Sequence, residues 1–84
     1  MKSADEDPYQ GYALVISEII RVRRRVLGMS QGELARRLCV TPASVSYFES
    51  GKRVPALGTL VKLKSALQLS VRDCIKIMEA INNE

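Results

Sequence analysis

The segment SQGELARRLCVTPASVSYFESG, residues 30–51, carries start signals for two helices with very little chain between them. Ser30 and Glu33 have the S-x-x-E spacing of a capping box, in which each side chain can bond the backbone N–H of the other residue. This spacing predicts a helix over about residues 31–38. The segment therefore limits the folds open to the chain to those that place two short helices in direct succession.

A second start signal follows almost at once. Thr41 is a hydroxyl N-cap residue, and Pro42 suits the first helical position, which predicts a helix over about residues 42–50. Only residues 39–41 link the two helices, and so short a link forces them to pack at a steep angle as a helix-turn-helix unit. Apolar side chains give each helix one inward face: Leu34, Ala35 and Leu38 on the first, Val45 and Phe48 on the second. The same pattern would also describe any helical hairpin.

The remaining elements are predicted to be helical as well. Apolar residues recur at helical spacing over residues 12–27, and Gly28 follows where a left-handed C-terminal residue is favoured. A fourth helix is predicted over residues 57–67, with a weak start because no good cap residue precedes it. A second capping-box pattern, S-x-x-D from Ser70, begins a fifth helix that reaches about Ile81.

The chain is therefore predicted to be all-α, with five helices and no strand. Residues 12–81 form a single domain in which the helix-turn-helix occupies about residues 31–50. Residues 1–11 are polar and acidic and contain proline and glycine, so we predict a flexible N-terminal arm there. The polar residues 82–84 are predicted to fray.

Positive charge is concentrated in the middle of the sequence. The formal net charge is +4, but residues 1–7 carry −2, whereas residues 21–53 carry eight basic and two acidic side chains, a net +6. A basic block of this kind is typical of a surface that binds phosphates. The alternative is a basic surface that only improves solubility.

The sequence lacks the residues that several classes of function require. There is no His, and the two cysteines are far apart, so we expect neither a metal site nor a disulfide framework. We find no glycine-rich phosphate loop after a strand and no pairing of a nucleophile with a base, so we expect no enzyme activity and no cofactor. No apolar run is long enough for a membrane span, and free thiols suit the cytoplasm.

The order of residues over 20–70 is more distinctive. It runs I-x-x-x-R-x-x-x-G-M-S-Q-x-E-L-A-R-R-L, then V-T-P-A-S-V-S-Y-F-E-S-G-K-R-x-P, then L-x-x-L-x-x-A-L-x-L-S. In this pattern the chain resembles the Cro/repressor, or XRE-type, family of helix-turn-helix transcriptional regulators. The resemblance implies a five-helix lambda-repressor-like DNA-binding domain whose third helix lies in the major groove.

The resemblance assigns base contacts to outward positions near the start of the third helix. These positions are Pro42, Ala43, Ser46 and Tyr47, with Thr41 and Ser44 beside them. None is Arg, Asn or Gln, whose paired hydrogen bonds contribute about 1–3 kcal/mol of discrimination per base. We therefore expect specificity from hydroxyl groups, from apolar contacts with thymine methyl groups and from DNA shape. This assignment requires these side chains to face away from the protein interior.

The resemblance also implies contacts with DNA phosphates and one structural ion pair. The phosphate candidates are Gln31, Arg23, Arg36, Arg37, Lys52 and Arg53. Arg24 and Glu49 match a pair that some family members bury between the first and third helices, where it would orient the third helix. The family usually has Gly where Cys39 stands, because the chain there favours positive φ. A Cys at that position implies roughly 1 kcal/mol of strain or a slightly different turn.

Two apolar surfaces exceed what one small core requires. The first helix carries a second stripe of Val15, Ile19, Val22 and Val26, and the fifth carries Ile75, Ile77, Met78 and Ile81. We predict that these surfaces cover each other, either within the chain or across a dimer. A dimer suits the implied DNA-binding mode, in which two recognition helices about 34 Å apart enter successive major grooves.

The resemblance thus implies a sequence-specific transcriptional regulator, and we expect a homodimeric repressor that binds a palindromic double-stranded operator. It further implies a cytoplasmic protein of bacterial, phage or plasmid origin, with no small-molecule ligand and no membrane association. Two alternatives stay open. One is an antitoxin or adaptor in a toxin–antitoxin or similar protein–protein system, and the other is a restriction–modification controller that also activates transcription.

Overall fold

A computed structural model describes the backbone of residues 10–82, and these residues form five helices without a strand among them. The predicted all-α fold is therefore confirmed. The helices are α1 (Gln10–Val26), α2 (Gln31–Leu38), α3 (Pro42–Ser50), α4 (Leu57–Ala66) and α5 (Val71–Asn82).

The helix ends agree with the sequence pattern to within two residues. The prediction for α1 was wrong at its start, since the helix begins at Gln10 and so includes two residues assigned to the arm. The end of α5 is one residue later than predicted, at Asn82. Residues 1–9 and 83–84 lie outside the described part of the chain, so the predicted arm and tail there stay predictions.

Side-chain caps begin three of the helices. The Thr41 hydroxyl accepts a hydrogen bond from Ser44 N at 3.1 Å, as its N-cap position predicts. At α5 the capping box is reciprocal, with Ser70 and Asp73 each bonding the other's backbone N–H at 3.1 Å. At α2 the Ser30 hydroxyl accepts from Glu33 N at 3.0 Å, and the reverse bond does not occur among the described residues. The sequence therefore located each start, although only one box is complete.

The turn between α2 and α3 contains the positive φ angle that was expected at Cys39. Cys39 has φ 57° and ψ 42°, in the left-handed region that disfavours a residue with a Cβ atom. The turn closes with hydrogen bonds from Cys39 N to Arg36 O at 3.2 Å and from Val40 N to Ala35 O at 3.0 Å. The turn therefore keeps its glycine-type geometry despite the side chain. Gln68, at φ 53°, adopts the same conformation after α4.

One apolar core joins all five helices. Each helix contributes side chains that are almost fully buried: Ile16, Ile20, Leu34, Leu38, Val45, Phe48, Leu63, Leu67 and Ile77. α3 packs against both α1 and α2, which leaves its remaining side free. The core thus positions α3 at the surface.

The second apolar stripe of α1 and the apolar stripe of α5 are covered only in part within the chain. α5 packs on α1, where Ile77 is buried and Ile19 is partly buried against the core. Other members stay exposed on this single chain: Val22 at 47%, Val26 at 65%, Ile75 at 50%, Met78 at 58% and Ile81 at 39%. Val15 is half-buried beside α5.

Candidate nucleic-acid interface

The outward side of α3 has the orientation that base contact requires. Pro42, Ala43, Ser46 and Tyr47 are all exposed, and Tyr47 keeps 41% of its surface accessible. The opposite side of the same helix is buried in the core through Val45, Phe48 and Glu49. Because the helix is nine residues long and packed on two neighbours, it presents a fixed surface to the solvent.

The two hydroxyl residues at the start of α3 differ in availability. Thr41 is exposed, whereas Ser44 is half-buried, and their hydroxyl oxygens lie 3.0 Å apart in a mutual hydrogen bond. Thr41 also caps the helix. Both hydroxyls therefore already take part in the cap, and any contact with DNA would use the hydrogen-bonding capacity that the cap leaves over.

A buried ion pair connects α1 to the C-terminal end of α3. Arg24 donates to Glu49 through two nitrogens, from Nε to Oε2 and from Nη2 to Oε1, the latter at 2.9 Å. A third donor, Nη1, bonds Met29 O at 2.9 Å. The side chains of Arg24 and Glu49 are only 12% and 6% exposed. A bidentate contact of this kind fixes the relative orientation of the two side chains as well as their separation, so it orients α3 relative to α1.

Two further side chains converge on Glu49. Gln31, at the first position of α2, donates from Nε2 to Glu49 Oε1 at 3.1 Å. Arg21 donates from Nη1 to the Glu49 carbonyl oxygen at 3.1 Å. Sequence reasoning missed Arg21, although its i, i+3 spacing from Arg24 places both on one side of α1 and was the available signal. Three elements are therefore joined through one residue of α3.

The pKa of Glu49 reflects this environment. Burial alone would raise it, but the hydrogen bonds from Arg24 and Gln31, together with the positive charges of Arg24 and Arg25, lower the pKa below its ordinary value. The hydrogen bond to Glu49 likewise raises the pKa of Arg24, and this outweighs the lowering effect of burial. Glu49 is therefore ionised at neutral pH, and the buried pair carries both of its charges.

The segment after α3 folds back over the end of that helix. Gly51 has φ 77°, and Tyr47 O then accepts hydrogen bonds from Lys52 N at 3.0 Å and from Arg53 N at 3.3 Å. The Arg53 guanidinium lies over the Tyr47 ring, with Cζ 5.1 Å from the ring centroid. Lys52 and Arg53 are both exposed, so two positive charges stand beside the outward side of α3.

The other phosphate candidates are spread over two surfaces. Arg36 and Arg37 are exposed in the last turn of α2, and Arg37 borders a shallow groove with Lys62 of α4. Arg23 is half-buried and donates from Nε to Leu67 O at 3.2 Å, where it binds the C-terminal end of α4. Its guanidinium is therefore placed at α4 and α5 rather than beside α3.

Neither a metal-ligand cluster nor a membrane-length apolar helix occurs among the described residues. No cluster of three or more His, Cys, Asp or Glu side chains among them could hold a metal ion. Of the five helices described, none combines the length and apolar character needed to cross a membrane.

A short helix with an exposed outer side, fixed by its neighbours and flanked by basic residues, defines a DNA-binding domain of the helix-turn-helix class. The family model described as Helix-turn-helix matches residues 20–74, and the chain belongs to this family. The XRE-type resemblance in the sequence is thus confirmed.

Relatives support the same class. The chain is 39% identical over 69 residues to an uncharacterized HTH-type transcriptional regulator of Sinorhizobium fredii, covering 81% of this chain and 35% of that protein. It is 40% identical over 50 residues to another from Archaeoglobus fulgidus, covering 60% and 22%. It is 33% identical over 57 residues to vegetative-specific protein H7 of Dictyostelium discoideum, covering 68% and 55%. The chain thus spans about a third, a fifth and half of these proteins, and no solved structure matches it significantly.

Proposed function

We propose that this protein is a transcriptional repressor that binds a palindromic operator as a homodimer, with α3 in the major groove of each half-site. The main support for this proposal is that α3 has an exposed outer side and is fixed in orientation by the Arg24–Glu49 pair. A helix that must fit a groove about 12 Å wide benefits from such fixation, because a tilt would displace every base contact.

Base and phosphate contacts divide between α3 and its surroundings. The proposed base contacts come from Pro42, Ala43, Ser46 and Tyr47, with Thr41 and Ser44 at the helix start. The proposed phosphate contacts come from Lys52 in the loop and from Gln31, Arg36 and Arg37 on α2. Gln31 would act in part by holding Glu49, to which its amide is already bonded.

The proposed dimer uses the exposed apolar surface on the α5 side of the molecule. Met78 and Ile81 on α5 line the same groove as Leu57 and Val61 of α4, and all four are accessible on a single chain, as is Ile75. An apolar groove runs between α1, α4 and α5 and includes Met78, Ile81 and Val61 in its lining. Adjacent apolar side chains exposed in this number are typical of protein–protein contacts. This surface is the one proposed to meet its copy.

Sedimentation tests the dimer. Met78→Glu places a charge in the proposed interface, and we expect it to give a monomer at concentrations where the wild-type protein is dimeric. Lys76→Glu is the matched control, because it changes an exposed position on the same helix that lies outside the groove. Equal melting temperatures would show that both variants fold. A wild-type protein that stayed monomeric at high concentration would contradict the proposal.

DNA binding is tested by fluorescence anisotropy on sites selected from a random-sequence library. We expect a selected site with two-fold symmetry, and an affinity that falls by about 0.9 log units per log unit of salt for each phosphate neutralised. Tyr47→Ala should reduce discrimination between sites, whereas Lys52→Ala should weaken binding to all sequences alike. A reporter with the selected site inside its promoter then measures repression. Equal affinity for every sequence would refute the proposed regulator.

A further inference from the structure

The outward side of α3 bears no side chain that forms paired hydrogen bonds with a base, but the loop after it supplies one. We infer that Arg53, held over the Tyr47 ring, contacts the O6 and N7 atoms of a guanine in the major groove. This inference rests on the proposed function, and it assigns Arg53 to base recognition rather than to a DNA phosphate.

Backbone geometry brings Arg53 to this position. Gly51 ends α3 in the left-handed conformation, which turns the chain back on itself. Tyr47 O then accepts hydrogen bonds from the backbone N–H groups of both Lys52 and Arg53. The main chain of Arg53 is thereby tied to the same residue whose ring its side chain covers, so the guanidinium is held at two points beside the base-contacting side of the helix.

The chemistry of the guanidinium suits a base edge. Its centre lies 5.1 Å from the Tyr47 ring centroid, within the range of a cation–π contact. The guanidinium N–H groups lie in the plane of that group, so a contact between its centre and a ring leaves N–H groups at its edge able to donate. Two of these N–H groups match the paired acceptors of guanine, which is the commonest specific contact of Arg in the major groove.

Lys52 provides an internal comparison. It is exposed in the same loop, and no ring contact holds it among the described residues. Its ammonium group is a compact charge without the planar pair of donors, which suits a phosphate. The two neighbouring cations therefore differ in the property that separates recognition of a base from attraction to the backbone.

The test uses the full chain and sites selected from a random-sequence library. We expect the wild-type protein to select a guanine at one fixed position in each half-site. Arg53→Ala removes the paired donors, so preference at that position should fall about 5- to 150-fold while preferences elsewhere persist. Lys52→Ala is the matched control: it removes one charge from the same loop, so it should weaken binding to every sequence and leave the guanine preference in place.

Two further measurements test which atoms form the proposed contact. Replacing the selected guanine by 7-deazaguanine removes N7, and it should weaken binding of the wild-type protein but not of Arg53→Ala. Tyr47→Leu should reduce the guanine preference by releasing the guanidinium, whereas Tyr47→Phe keeps the ring and should retain it. Far-ultraviolet circular dichroism verifies that each variant is folded.

The outcomes separate this inference from the proposed function. If the wild-type protein selects a defined site and Arg53→Ala keeps every base preference, Arg53 contacts a phosphate, and the inference is overturned while the proposed function stands. If the wild-type protein selects no site at all, the proposed function fails and takes the inference with it.

Discussion

Removing the Glu49 carboxylate should be the most damaging single change outside the apolar core. In Glu49→Ala the Arg24 guanidinium stays in a site where only 12% of its side chain is accessible, and its described acceptors shrink to Met29 O. Gln31 loses its partner as well. Stranding one member of a buried pair costs about 3–5 kcal/mol. Since domains of this size have a total stability of roughly 5–15 kcal/mol, the variant should lose a large part of it.

The same reasoning predicts that the intact pair adds little over apolar residues of similar volume. The double variant Arg24→Met, Glu49→Leu removes both charges and leaves neither unpaired, so it should recover most of the stability lost in Glu49→Ala. Glu49→Gln keeps the shape and one acceptor oxygen for Arg24, and it should fall between the wild-type protein and Glu49→Ala.

Urea denaturation followed by circular dichroism measures these free energies of unfolding. Glu79→Gln, an exposed acidic position on α5, is the control and should change stability by no more than about 0.5 kcal/mol. A loss below about 1 kcal/mol in Glu49→Ala would refute the reasoning. The reasoning would also fail if the stability lost in the double variant equalled the sum of the losses in Arg24→Met alone and Glu49→Leu alone, since that would show no coupling between the charges.

Three other changes have defined outcomes. Because the pKa of Glu49 is lowered on folding, its ionisation stabilises the protein above about pH 4.5, its ordinary pKa value. This contribution should disappear as the pH falls through the lower pKa of the folded state. Urea titrations at several pH values should show that Glu49→Gln loses less stability on acidification than the wild-type protein. Cys39→Gly should stabilise the protein by up to about 1 kcal/mol in thermal unfolding, since φ is 57° there, whereas Cys74→Gly within α5 should destabilise it. Thr41→Ala removes the α3 cap and should cost about 1 kcal/mol by the same assay, with Ser46→Ala as a control at an exposed position of the same helix.

The elements with local signals were predictable from the sequence. The starts of α2, α3 and α5 were located because Ser30, Thr41 and Ser70 bond backbone groups three residues away, and that spacing is visible in the chain. The left-handed turn at Cys39 was expected from the resemblance. The early start of α1 at Gln10 was missed, since glycine and proline nearby indicated a break.

Contacts with distant backbone atoms were not predictable in the same way. Arg21 and Arg23 donate to carbonyl oxygens that lie 28 and 44 residues further along the chain. No residue type announces a carbonyl acceptor, because every residue has one. The stack of Arg53 on Tyr47 likewise depends on the fold-back at Gly51, which brings two exposed side chains together.

The two sides of α3 carry separate tasks. The anchoring groups are Val45, Phe48 and Glu49, all buried, whereas Pro42 and Ser46 contribute exposed surface. If α3 contacts DNA as proposed, substitutions on the exposed side alter the preferred target sequence without a compensating change in the protein's interior. A lineage built on this scaffold can diverge in the genes it controls by exchanging a few surface residues, and a designer can transplant a new set onto it for the same reason.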